Sequence, residues 1–196
     1  ILVVFGHSFH EWNGVFEDTV LYRIFMVMRM PLFTFTSGYT LAYCFMSRPT
    51  HRSYREFVIN KAWRLLLPFF ALNAVTFFPR VMLSDIADDS IELTLSSFIN
   101  CFLYYRSAPV LFTWFLQMSF ICMLITYPIM LATKQLHKRI LWLSVLLTAS
   151  LFTYSSGCLN EIIIFSISQV GTLLVFFALG AICGTFYKDF ISKIPW

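Results

Sequence analysis

Residues 107–133 read SAPVLFTWFLQMSFICMLITYPIMLAT, a run without a single Asp, Glu, Lys or Arg. A bilayer core about 30 Å thick needs about 20 apolar residues in a helix, and this stretch is long enough. It is not alone. Charge-free windows also cover 1–10, 30–47, 65–79, 140–160 and 162–187, and the third extends to about Leu83 if Arg80 snorkels to the interface. These windows predict an all-α, polytopic transmembrane bundle of about six spans, the first incomplete. A seventh apolar stretch, 93–105, is too short to cross and reads as an interfacial or re-entrant segment.

Composition agrees. The 196 residues are 59% hydrophobic and 12% charged, with 23 Phe. Soluble domains are about 45–50% apolar and about 25% charged. An ordinary cytosolic enzyme, a disordered chain and a nucleic-acid-binding module are excluded on this ground. Residue 1 is Ile, already inside an apolar run with no charged region before it, so 1–10 reads as the second half of a membrane helix in a truncated chain. No soluble domain, linker or internal repeat appears, and residues 1–196 read as one membrane-embedded domain. The five cysteines are scattered and show no metal-ligand spacing; they read as small apolar packing residues, with a Cys101–Cys158 bridge as a minor alternative.

Charge placement sets the orientation. Segments 48–64, 134–139 and 188–196 hold ten basic and two acidic residues, whereas 11–29, 80–106 and 155–161 hold four basic and eight acidic. The first set is therefore expected to be cytoplasmic. Pro31 and Pro109 are expected just inside helix starts, where a missing N–H is harmless. Pro128, late in its span, is expected to kink or end it. Thr34, Gly38 and Ala42 recur every four residues, as do Gly180 and Gly184, which suits close helix packing in lipid.

Few residues can carry chemistry. His7 lies in an apolar helix, where ionisable groups are costly and face a cavity or a partner. Its imidazole titrates near neutrality and suits proton transfer; a helix-bonding role is the alternative. His10, three residues on, gives a weak metal pattern with no evident third ligand. Thr34, Ser37 and Gly38 share one helix face that either lines a cavity or serves as helix–helix contact. Asn73 and Gln117, single polar residues in later spans, carry the same two readings. Lys61-x-x-Arg64 either holds donor phosphates or serves topology and anionic headgroups. Trp114 either stacks on a sugar ring or belongs to the interfacial aromatic belt.

Four segments carry a resemblance: Leu2–Ser8, Met30–Tyr39 (MPLFTFTSGY), Lys61–Pro68 (KAWRLLLP) and Thr113–Leu116 (TWFL). In this order the chain resembles the acyltransferase 3 family of integral-membrane acyltransferases, which includes bacterial O-acetyltransferases of surface glycans. The resemblance implies a bacterial inner-membrane enzyme. It would transfer an acyl group, most often acetyl, from cytosolic acyl-CoA as co-substrate to a hydroxyl of an exported glycan or glycolipid, with no bound cofactor and no metal. It implies His7 as the catalytic residue, Ser37, Gly38, Tyr39 and Trp114 at the substrate, and Lys61 and Arg64 at the donor phosphates. The family pattern at the last pair is Arg-x-x-Arg; here Lys61 keeps the charge and loses the bidentate guanidinium. A family arginine of the first helix would fall upstream of Ile1. A transporter or flippase for a lipid or sugar is the alternative, since aromatic and small-polar helix faces suit it equally.

Overall fold

A computed structural model describes residues 20–47, 52–82, 94–104 and 113–192. His7, His10, Pro109 and the first expected span lie outside these residues. Among the described residues six helices form: α1 (Val20–Met46), α2 (Tyr54–Met82), α3 (Leu95–Leu103), α4 (Trp114–Ala132), α5 (Leu136–Ser156) and α6 (Ile167–Ser192). Among the described residues the only extended pairing is a single bridge between Tyr104 and Ile164. The stretches Tyr54–Met82, Trp114–Ala132 and Ile167–Tyr187 are long and apolar enough to cross a membrane. Helices satisfy every backbone group internally, which is what a lipid environment demands. The nine residues of α3 span only about 13 Å, so this segment does not cross.

Local chemistry explains where these helices begin and bend. α2 opens on a reciprocal cap: the Ser53 hydroxyl accepts from the Glu56 N–H, and the Glu56 carboxylate accepts from the Ser53 N–H, both at 3.3 Å. Further along, Ala62–Leu66 widens into a π-turn in which the Leu67 N–H reaches back to the Ala62 carbonyl. Pro68 accounts for this. It offers no N–H to the Arg64 carbonyl and its ring crowds that oxygen, so the helix opens by one residue. α5 ends where Gly157 adopts φ +64°, the left-handed cap that glycine accepts without strain. Pro31 sits well inside α1 rather than at its start, because α1 begins at Val20, ten residues ahead of the charge-free window. Pro128 lies within α4, which continues to Ala132.

The closest helix pair is α1 with α6. Along it Thr34, Ala42, Phe177, Ala178 and Ala181 are fully buried. Here the four-residue spacing of small side chains has a direct steric reason. A methyl group at Gly38 would overlap the Phe177 carbonyl oxygen, one at Gly180 would overlap that of Phe35, and one at Gly184 would come within 2.5 Å of that of Tyr39. Backbone meets backbone from both sides, so these positions admit only glycine. α4 runs through the middle, touching α1, α2, α5 and α6 and burying Gln117, Met118, Cys122, Thr126, Tyr127 and Met130.

Several buried polar groups of the core pair across helices. The Gln117 amide donates to the Phe102 carbonyl at 3.1 Å and accepts from the Ser166 hydroxyl at 2.8 Å. It thereby pins α3 and the turn before α6, where Phe165 and Ser166 both hold positive φ. Asn73 donates to the Phe69 carbonyl at 2.9 Å and to the Thr113 hydroxyl at 3.1 Å. Both residues thus work as packing contacts between helices, one of their two expected roles. Arg139, buried at the start of α5, donates to the Thr133 carbonyl at 2.6 Å and to that of Met130 at 3.4 Å, closing the end of α4. All five cysteines are free.

Candidate active-site cavity

α1 and α2 do not pack extensively on each other, and the gap between them is a cavity of about 490 Å³. Small-molecule sites run from about 300 to 1,000 Å³. α1 supplies Phe33, Thr36, Ser37, Thr40 and Cys44; α2 supplies Phe57, Asn60, Lys61 and Arg64; Met123 and Tyr127 of α4 close the back. Arg52, just ahead of α2, lines the mouth. From Phe33 to Cys44 the α1 wall extends about 16 Å at 1.5 Å per residue.

The two walls of this cavity differ chemically. Arg52, Lys61 and Arg64 line the α2 side, and none of the lining residues is acidic. Three cations at a low-dielectric cleft focus a positive field and favour an anion with more than one charge. The π-turn bears on this arrangement, since Arg64 lies inside it and Lys61 immediately before it. The α1 wall is a hydroxyl face. Thr36 and Ser37 each donate to the Phe33 carbonyl at 2.9 Å, and Thr40 donates to the Thr36 carbonyl at 2.7 Å. Each hydroxyl hydrogen is spent on the helix, which leaves the oxygen lone pairs as acceptors facing the cavity. Where this wall ends, Phe33 meets Phe115 edge to face at 4.5 Å. The cavity therefore offers cations on one wall, a row of acceptors on the other and an aromatic ring where the α1 wall ends.

Of the residues singled out from the sequence, Ser37, Lys61 and Arg64 come together in this cavity. Gly38 and Tyr39 do not. Gly38 is buried against α6, and the Tyr39 ring joins Tyr43 (6.1 Å) and Tyr187 (5.9 Å) on the α6 side. The two expected roles of the Thr34-Ser37-Gly38 face are thus divided: Thr34 and Gly38 are helix contacts, and Ser37 borders the cavity. Trp114 is half-buried at the start of α4, 6.2 Å from Phe115, and braces that ring rather than lining the cavity. His7 lies outside the described residues. Arg52, Asn60 and the hydroxyls of Thr36 and Thr40 were not singled out. The Ser53-x-x-Glu56 pattern was the available signal, because it marks a helix start at Tyr54 and sets Arg52 at its threshold.

Long apolar helices with a polar cleft between two of them mark an integral membrane protein. A family model described as an acyltransferase domain, that of the acyltransferase 3 family, matches residues 1–196. The chain belongs to this family and is a membrane acyltransferase. Neither curated proteins nor solved structures give a match.

Proposed function

We propose that the protein transfers an acetyl group from cytosolic acetyl-CoA to a hydroxyl of an exported glycan or glycolipid, in the inner membrane of a bacterium, with 48–64, 134–139 and 188–196 on the cytoplasmic side. One observation carries this reading: a single cavity joins Lys61 and Arg64 to the acceptor face of Ser37, Thr36 and Thr40. A CoA thioester carries groups that suit both. Its phosphates match the cations, and the amide N–H groups of its pantetheine arm match hydroxyl oxygens whose hydrogens are already used. The acyl end would lie toward the membrane interior, where the α1 wall ends at Phe33, whose ring meets Phe115.

The chemistry follows from that placement. The acceptor oxygen attacks the thioester carbonyl carbon, the C–S bond breaks, and the hydroxyl proton passes to His7 and from there to the departing CoA sulfur. His7 is assigned this role by family resemblance, and its imidazole is suited to it near neutral pH. Gly38 and Tyr39 belong to the helix seam in this reading, and Trp114 acts on the acceptor side by holding Phe115.

The test follows labelled acetyl from acetyl-CoA into envelope glycan, using the full-length protein in native membranes. Wild type is expected to label; His7→Ala at matched expression is expected to insert and not to label. Wild-type labelling in His7→Ala removes that residue from the reaction. An acetyl-histidine trapped by acid quench makes it a covalent carrier instead of a base. Transport of a lipid or sugar by the wild type without any labelling replaces the acetyl-transfer reading.

A further inference from the structure

The entry to α2 is tied to α4 by two tyrosine hydroxyls, and the sequence of α4 explains why they meet there. Pro128 has no N–H to give the carbonyl four residues back, that of Leu124. The Tyr54 hydroxyl donates to that oxygen at 3.4 Å. One residue before the proline, the Tyr127 hydroxyl donates in the opposite direction, to the Arg52 carbonyl at 2.9 Å. The Tyr127 ring lies flat on Phe57 at 3.6 Å and edge to face against Phe45 at 5.6 Å, so it is held from both sides. The reciprocal cap of Ser53 and Glu56 fixes the backbone in between, and it occupies Glu56, the acidic residue of the groove that adjoins the cavity at Arg52.

One of these contacts, that of the Tyr127 hydroxyl, falls on Arg52 itself. Its side chain is exposed and lines both the cavity and the adjoining groove, while its backbone is immobilised by a residue of another helix. An exposed arginine on a free connection between helices would be expected to wander. Here the anchor costs α4 a buried tyrosine, 5% exposed, whose hydroxyl is directed at this one carbonyl.

We propose that Arg52 is a third phosphate-binding residue of the donor site, and that Tyr127 is a positioning residue that acts through the Arg52 carbonyl. This rests on the donor reading given above and assigns a part of the site that the Lys61–Arg64 pair leaves open. CoA carries phosphate at two places, on its pyrophosphate and on its ribose, so two cations on one helix turn do not cover it. Arg52 lines the same cavity nine residues ahead of Lys61, away from that turn, and would reach the second place.

The experiment measures CoA dissociation constants on the full-length protein in nanodiscs at low and at physiological salt. Wild type should bind CoA and weaken as salt rises, since each exposed charge contact is screened. Arg52→Gln should bind roughly tenfold more weakly at low salt and show a visibly flatter salt dependence. Tyr127→Phe keeps the ring stack and loses only the hydroxyl; it should weaken binding about threefold and flatten the salt dependence in the same sense. Arg52→Lys should restore the salt slope, which a merely structural loss would not allow. Wild-type affinity and slope in Arg52→Gln overturn the proposal and leave the donor reading standing. A wild type that does not bind CoA overturns both. Tyr127→Phe that weakens binding equally at every salt concentration removes the positioning role.

Discussion

Gly180→Ala is the sharpest perturbation of the fold, because its cost can be worked from the α1–α6 seam. The added methyl would overlap the Phe35 carbonyl oxygen outright, 2.9 Å from the carbonyl carbon and 3.0 Å from the Tyr39 nitrogen. Even at Gly184, the looser site, the methyl would sit 2.5 Å from the Tyr39 oxygen, against about 3.4 Å for ordinary contact. The helices must therefore part by about 1 Å or more. A gap of about 0.5–1 Å already forfeits a quarter to a half of each dispersion contact. The seam holds five fully buried side chains on the two helices, and overpacking by itself costs about 1–3 kcal/mol. Gly180→Ala should thus destabilise the protein by about 2–4 kcal/mol. The assay is reversible unfolding in bicelles, with Gly171→Ala as the matched control. The Gly171 methyl would come nearest to a side chain, that of Leu159 at 3.0 Å, rather than to backbone, and should cost less than about 1 kcal/mol. Equal effects of the two substitutions, or no measurable effect of Gly180→Ala, would refute the backbone-to-backbone account.

Two further outcomes test the core and the cavity. Gln117→Leu strands the Phe102 carbonyl and the Ser166 hydroxyl and should cost about 2–4 kcal/mol of unfolding free energy, with proteolysis first appearing at the turn before α6. Cys44 is an exposed free thiol on the cavity wall, so saturating CoA should slow its alkylation by maleimide several-fold while leaving Cys158 unprotected; equal rates with and without CoA would remove the donor from this cavity.

The helical architecture was legible in the charge-free windows, since lipid forbids most alternatives to a helix there. The helix ends were less legible. α1 and α2 both continue into charged sequence, Arg23 and Arg29 in one case and Arg55 to Arg64 in the other. Charges mark where a helix leaves the hydrocarbon, which is not where it stops. The site was half-legible for a related reason. Ser37, Gly38 and Tyr39 are consecutive, but each step along a helix turns about 100°, so Ser37 borders the cavity while Gly38 and Tyr39 meet α6. Which side is cavity depends on a partner more than a hundred residues away, and no local pattern encodes it. Arg52 was counted only as a topological charge, because its value comes from Tyr127, a residue of a different span.

The glycine seam also imposes an order on biogenesis. α1 emerges from the ribosome before the other described helices, and its close-fitting partner among them, α6, is the last. At about 5–20 residues per second, translating the interval between them takes on the order of 10 s. Throughout that time the small-residue groove of α1 faces lipid or the insertion machinery, unfilled. The back of the α1 wall, and with it the geometry of the cavity, is set only when α6 arrives. A ribosome that stalls before Gly180 would leave an inserted protein with every cavity-lining residue synthesised and the glycine face of α1 uncovered.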